Sequence, residues 1–105
     1  MMTIQNIPDP GFLNRIEGVK PLLDVIVREC NLHVVAEAGH QFEPFGATYV
    51  YVLEESHMSI HTYPEKARVY MDIFCCSPDF DPDNAARVVR MLFKTADVDS
   101  HVVKR

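Results

Sequence analysis

Apolar residues recur along this chain at two spacings. Residues Pro21 to Cys30 repeat them at helical spacing, as does a stretch from about Pro82 to Ala96. Between these stretches lie four segments rich in β-branched and aromatic residues, "HVVAEAGHQF", "ATYVYVLEES", "HMSIHTY" and "RVYMDIFCC". "MTIQNI" and "DSHVVKR" predict shorter strands near the two ends. The pattern predicts the order β-α-β-β-β-β-α-β.

Two prolines mark where the helices are expected to begin, because proline suits the first position of a helix. The first helix is predicted to start at Pro21, after a turn or two of helix in "GFLNRIEG". The second is predicted to start at Pro82 with Asp81 as its N-cap, and to bury Ala85, Val88 and Phe93.

This order predicts an α+β fold, a two-layer α/β sandwich in which a mostly antiparallel sheet carries two helices on one face. The other face of the sheet would be left for a partner or a second copy of the chain. A length of 105 residues predicts one domain, residues 1–105, with a small core.

Composition limits the classes of partner. A net charge of −5 leaves no basic surface, so we expect no nucleic acid to bind. No apolar run reaches the length of a membrane span, and no secretory signal pattern opens the chain. The three cysteines, two of them adjacent, do not resemble a disulfide framework. We therefore expect a cytoplasmic protein without a membrane partner.

Strand alternation sorts the polar residues of the central segments into faces. It can bring Thr48, Ser56, His61 and Cys76 together on three neighbouring strands. Such a group could perform nucleophilic hydrolysis, with Ser56 activated by His61, although no G-x-S-x-G elbow surrounds the serine. It could hold a metal through His57, His61 and Cys76, although this is not a recognised zinc spacing. It could also be a set of surface polar residues.

The order and spacing of these residues resemble a known family. "ESHMSIHTYPE" followed by "DIFCC" looks like the bacterial and archaeal S-adenosylmethionine decarboxylases, whose pattern is approximately E-S-H-x-x-I-H-T-W-P-E and then D-x-F-T-C-G. His61 lies five residues after Ser56 and Cys76 lies twenty after it, as in that pattern. "FEPFGAT" resembles the family's F-x-P-x-G-x-S segment, and "DFDP" resembles its acidic loop.

The resemblance implies a self-processing enzyme. The Ser56 hydroxyl would attack the carbonyl of Glu55, and elimination would then cleave the chain into residues 1–55 and 56–105. Ser56 would become a covalent pyruvoyl group, the cofactor that forms a Schiff base with S-adenosylmethionine and accepts electrons when CO₂ leaves. The product would serve polyamine (spermidine) biosynthesis.

The resemblance also assigns roles to individual residues. His61 would take the serine α-proton, Thr48 would stand where the family has a serine that assists processing, and Cys76 would return a proton to the substrate. Phe42 and Tyr63, the latter in place of tryptophan, would hold the adenine, and Glu65 would bind the ribose. No metal is implied. The family forms a dimer of processed protomers with sites at the interface, so the resemblance implies that this chain is a homodimer at least.

Two alternatives stay open at this stage. Relatives that decarboxylate arginine or ornithine use the same pyruvoyl machinery, and only pocket residues would distinguish them. The chain could also be an unprocessed, non-catalytic homologue that acts as a partner subunit.

Overall fold

The computed structural model describes residues 2–54, 56–74 and 80–100. Within them, six strands form one sheet and two α-helices flank it. The elements are β1 (Met2–Ile4), α1 (Ile16–Glu29), β2 (Val34–Gln41), β3 (Ala47–Leu53), β4 (Ser56–Tyr63), β5 (Arg68–Phe74), α2 (Pro82–Phe93) and β6 (Val98–Ser100). Two short 3-10 helices, Pro10–Asn14 and Pro64–Lys66, precede α1 and β5. The predicted order of strands and helices is confirmed.

The strands lie in the order β2-β3-β4-β5-β1-β6, and every neighbouring pair is antiparallel. Tyr51 pairs with Met58, which pairs with Ile73, so these side chains share one face. By the same register, Thr48, His61 and Tyr70 share the opposite face.

Both helices cover the face that carries Tyr51 and Met58. Helix α1 buries Val19, Leu23 and Ile26, and α2 buries five residues along one side. Those α2 residues are Ala85, Ala86, Val88, Val89 and Phe93. They join the buried sheet residues in one apolar core, whose burial drives the packing of the helices on the sheet. The predicted two-layer sandwich with its helices on one face is confirmed. Among the described residues no helix covers the other face, which is called the open face below.

Helix α1 begins at Ile16, so the prediction that it begins at Pro21 is wrong. Pro21 lies inside the helix, within its first two turns. The helix gains its early start from a distant side chain, because Gln41 Oε1 accepts a hydrogen bond of 2.8 Å from the Ile16 amide. That bond satisfies an amide at the helix start which has no partner inside the helix.

Helix α2 confirms its predicted start. Asp81 Oδ1 accepts a hydrogen bond of 3.0 Å from the Asp83 amide, and Pro82 occupies the first helical position. The helix ends at Phe93 rather than near Ala96, because Lys94 turns into the left-handed region with φ 57°.

Candidate active site

A hydroxyl and an imidazole meet on the open face of the sheet. Thr48 and His61 lie directly opposite each other in the β3–β4 ladder, and Thr48 Oγ1 is 2.8 Å from His61 Nδ1. The bond fixes the imidazole ring and occupies Nδ1. The other nitrogen, Nε2, is therefore the atom that can exchange a proton with a reacting group.

Ser56 lies at the far end of the same strand. It is the first residue of β4, is half-buried, and pairs with Leu53 of β3. Its hydroxyl donates a hydrogen bond of 3.2 Å to the Glu54 carbonyl. Five residues of extended strand separate it from His61, which corresponds to about 16 Å at roughly 3.3 Å per residue.

Within one protomer, Ser56 therefore does not lie beside Thr48 and His61. An extended strand cannot bring its own ends together, and alternation also places Ser56 on the Leu53 side of the ladder, away from Thr48. Glu55 and Cys76, the other two predicted catalytic residues, lie outside the described residues.

The three predicted substrate-binding residues lie at the His61 end of the sheet. Phe42 follows β2 with 47% of its surface exposed, Tyr63 ends β4 with 40% exposed, and Glu65 follows in the short helix Pro64–Lys66. In the part of the chain that the structure describes, the Glu65 carboxylate has no hydrogen-bond or ion-pair partner. It is thus available to a ligand hydroxyl.

Gly46 joins the Phe42 and Tyr63 segments. A Cβ placed on this buried glycine would lie 4.0 Å from Phe42 Cβ, 3.8 Å from Pro64 Cδ and 3.5 Å from the Thr62 carbonyl oxygen. The ring of Phe42 also packs edge-on against His40, with 4.7 Å between centroids. His40 in turn pairs with Thr48 across the sheet, so Phe42 is contiguous with the Thr48–His61 pair.

The Ser56 end carries a different cluster. The His57 ring stacks on Phe74 with centroids 5.5 Å apart and an interplanar angle of 8°, and His57 Nε2 lies 3.7 Å from Asp72 Oδ2. The sequence alone does not show this stack, because it depends on the register between β4 and β5. Among the described residues, no group of three or more His, Cys, Asp or Glu side chains is placed to hold a metal ion.

Sequence reasoning missed two polar side chains that support the site from the helix side. Buried Thr62 donates a hydrogen bond of 2.9 Å to the Leu13 carbonyl and accepts one of 2.8 Å from the Ala47 amide. Gln41 bonds to Asn14 beside it. The available signal was alternation, because both are polar residues at core-facing positions of strands, where a polar group requires a partner.

A charged network links α1 to β2 and β3 on the helix side. Lys20 Nζ lies 3.0 Å from Asp24 and 3.1 Å from Glu37, Tyr51 donates to Asp24 at 2.7 Å, and Tyr49 donates to Glu37 at 2.6 Å. Partial burial opposes ionisation of Asp24, but its bonds to Tyr51 and Lys20 outweigh this and lower its pKa. The bond from Tyr49, followed by that from Lys20, lowers the pKa of Glu37. The hydrogen bond to Asp24 raises the pKa of Lys20. Both carboxylates therefore act as structural anchors between α1 and the sheet.

Comparison with known proteins decides which family these features belong to. The family model described as S-adenosylmethionine decarboxylase matches residues 3–105. The chain belongs to the S-adenosylmethionine decarboxylase family.

Individual relatives extend that match. An S-adenosylmethionine decarboxylase proenzyme of Methanococcus aeolicus is 37% identical over 97 residues, which are 92% of this chain and 83% of that protein. A protein of the same name from Sulfurihydrogenibium is 36% identical over 93 residues, 89% of this chain and 70% of the relative. The crystal structure of the adenosylmethionine decarboxylase from Aquifex aeolicus superimposes with a TM-score of 0.79 at 27% identity, covering 98% of this chain and 88% of that one.

The resemblance to the S-adenosylmethionine decarboxylase family that the sequence motif indicated is thus confirmed. The relatives' names include the word proenzyme, which describes a chain that is processed. None of these findings favours arginine, ornithine or a non-catalytic role. Within the described ranges, no helix is long and apolar enough to cross a membrane.

Proposed function

We propose that this chain is a self-processing, pyruvoyl-dependent decarboxylase that removes the carboxylate of S-adenosylmethionine, a step of polyamine biosynthesis in the cytoplasm. Membership of the S-adenosylmethionine decarboxylase family and the names of the relatives support the substrate and the reaction. The observation that carries the chemistry is the Thr48–His61 pair, because the bond to Nδ1 leaves Nε2 of an exposed imidazole as the nitrogen for proton transfer.

Processing would cut the peptide between Glu55 and Ser56, giving residues 1–55 and 56–105. The Ser56 hydroxyl contacts a main-chain carbonyl on its N-terminal side, the direction in which the carbonyl to be attacked lies. This fits a residue that becomes the pyruvoyl group. That group, once formed, supplies an electrophilic carbonyl for the substrate amine and a sink for the electrons left when CO₂ departs.

The separation of Ser56 from His61 has a consequence for assembly. A working site needs both groups within hydrogen-bond reach, yet about 16 Å of strand lies between them. We therefore propose a homodimer in which the Ser56 end of β4 meets Thr48 and His61 of the partner subunit. Ser56 is the first residue of β4 and lies on its helix side, so its hydroxyl would reach the partner around the end of the strand. The open face of the sheet, which exposes Val52 and Tyr63, would form the interface.

Symmetry restricts how the two sheets can pack. Stacked sheets lie about 10 Å apart, and a two-fold axis that runs between them across the strands reverses strand direction. An axis passing β4 between Met58 and Ser59 places Ser56 of each subunit opposite the partner's His61. An axis along the strands would instead place equal ends together and leave both sites incomplete.

The proton-transfer roles follow from this arrangement. His61 Nε2 takes the α-proton of Ser56 during processing, while Thr48 holds the ring through Nδ1. Cys76, outside the described residues, is proposed to return a proton to the substrate α-carbon. A free cysteine thiol has a pKa of about 8.5 and is mostly protonated at neutral pH, which suits a proton donor.

Substrate binding would use the His61 end of the sheet. Phe42 and Tyr63 expose aromatic surface at that end, and stacking on a base is worth about 1–3 kcal/mol. The Glu65 carboxylate would accept hydrogen bonds from the ribose hydroxyls.

The direct test is ¹⁴CO₂ release from carboxyl-labelled S-adenosylmethionine by the purified, processed protein, with labelled arginine and ornithine as comparison substrates. We expect release from S-adenosylmethionine alone. Release from arginine or ornithine instead would overturn the substrate assignment.

A further inference from the structure

Gln41 ties the candidate site to the start of helix α1 through a single amide. Its Nε2 lies 2.8 Å from the Asn14 carbonyl oxygen, 2.9 Å from that of Gly46 and 3.0 Å from that of Phe42. Its Oε1 accepts a hydrogen bond of 2.8 Å from the Ile16 amide. The two N–H groups of the Gln41 amide are thus shared among three carbonyls. The Ile16 N–H, which donates to Oε1, fixes which end of the amide faces those carbonyls.

Two of the three carbonyls that Gln41 contacts, those of Phe42 and Gly46, belong to one loop, residues 42–46. The loop is closed by a bond of 2.8 Å from the Phe42 amide to the Gly46 carbonyl, and the Gly46 amide donates to Asn14 at 2.9 Å. Gln41 therefore bonds to the first and last residues of the loop and also to its anchor on the preceding segment. An exposed ion pair from Arg15 to Glu43 also crosses here, but such pairs contribute little.

The loop determines where the Phe42 ring lies. Gln41 points to the helix side of the sheet with its ladder partner Ala47, whereas Phe42, the next residue, turns its ring toward His40 on the open face. A shift of the loop would move that ring relative to the Thr48–His61 pair. Because a bound base stacks only where the ring is already in place, such a shift weakens binding.

We propose that Gln41 is a positioning residue for substrate binding, which acts through Phe42 by fixing the 42–46 loop against the start of α1. This role rests on the proposed function, since it gives Phe42 the base of S-adenosylmethionine as its ligand. Gln41 touches neither substrate nor reacting atoms. Its loss should therefore weaken binding while leaving the chemical step intact.

The test is Gln41→Glu. This change keeps the size of the side chain and its acceptor oxygen, but it replaces Nε2, the donor to the three carbonyls, by a second oxygen. We expect KM for S-adenosylmethionine to rise about tenfold or more, the equivalent of about one base-stacking contact, with kcat within about threefold of wild type. The matched control is Glu37→Gln, the reverse change on the same strand and the same face, which removes charge from the Lys20 network. It should lower the melting temperature without changing KM.

A double-mutant cycle with Phe42→Ala separates positioning from general destabilisation. If Gln41 acts through Phe42, Gln41→Glu raises KM in the wild-type background and has no further effect on KM beside Phe42→Ala. Equal KM values for Gln41→Glu, Glu37→Gln and wild type would overturn the inference, and so would additive effects in the cycle. Gln41→Met replaces Gln41→Glu in the same cycle if the charged variant does not fold.

Failure of the proposed function can be distinguished from failure of the positioning role. If the wild-type protein releases no CO₂ from S-adenosylmethionine, the substrate assignment fails, and the positioning role is then judged by hydrogen exchange. Faster exchange of the Phe42 and Gly46 amides in Gln41→Met than in Glu37→Gln would still support a loop fixed by Gln41. Equal exchange would overturn it.

Discussion

Thr48 Oγ1 lies 2.8 Å from His61 Nδ1 across two neighbouring strands, on the sheet face opposite the two helices. If this bond orients the imidazole for processing, Thr48→Val should slow cleavage between Glu55 and Ser56 about two- to tenfold, the usual worth of one hydrogen bond. Thr48→Ser, which keeps the hydroxyl, should process at close to the wild-type rate. The rate is measured by mass spectrometry of samples taken after purification. If Thr48→Val is cleaved at the wild-type rate, Thr48 has no part in the mechanism.

Ser56 and His61 are separated by about 16 Å of one strand, which predicts that the sites are shared between subunits. Ser56→Ala and His61→Ala should each be inactive when purified alone. Co-expressed, they should form mixed dimers in which Ser56 of the His61→Ala chain meets an intact His61 of the partner. Only the His61→Ala chain should then be cleaved, and decarboxylase activity should return. The absence of any cleaved product from mixed dimers would argue for sites within one protomer.

Gly46 is the buried residue between the Phe42 and Tyr63 segments, and its φ of +104° disfavours any other residue. Gly46→Ala should therefore reduce the free energy of unfolding by about 1–2 kcal/mol, seen as a melting temperature roughly 4–16 °C lower. The matched control is Gly11→Ala, since a Cβ at Gly11 meets nothing within 4 Å. Equal melting temperatures for the two variants would contradict this account of the loop.

The network around Lys20 predicts how stability depends on pH. Asp24 and Glu37 have lowered pKa values in the folded protein. Their contribution to the free energy of unfolding is therefore complete above their ordinary pKa values of about 4, and it is lost as pH falls through the lower values of the folded state. Lys20 has a raised pKa, so its contribution is complete below its ordinary value of about 10.4 and is lost only as pH rises through the folded value.

We therefore expect Asp24→Asn to lower the urea midpoint at pH 7 and to make the fall in midpoint between about pH 5 and pH 2 shallower than in wild type. The measurement is a set of urea unfolding curves across that range. An acid dependence with the same slope in Asp24→Asn and wild type would show that the network does not stabilise the fold in this way.

Much of the fold could be predicted from the sequence because local signals agree with the tertiary structure. The Asp81–Pro82 cap and the apolar side of α2 are both local, and both are present as predicted. The start of α1 could not be predicted, because its cap comes from Gln41, 25 residues further along the chain. A helix end that depends on a distant side chain leaves no mark in its own sequence.

The candidate site divides in the same way. The motif identified the family, and strand alternation correctly put Thr48 and His61 on one face. Alternation says which residues share a face but not how far apart they lie, so it allowed Ser56 to join a pair that lies at the opposite end of its strand. The supporting roles of Gln41 and Thr62 were also invisible, since each depends on contacts with residues 13–16.

The central claim is that Ser56 becomes the active group when the chain is cut, and intact mass under denaturing conditions tests it most directly. For the wild-type protein we predict two species, residues 1–55 and residues 56–105, the second without a free N-terminal amine. Ser56→Ala should remain one chain. A single full-length wild-type species after prolonged incubation, or cleavage of Ser56→Ala at the same bond, would contradict the account.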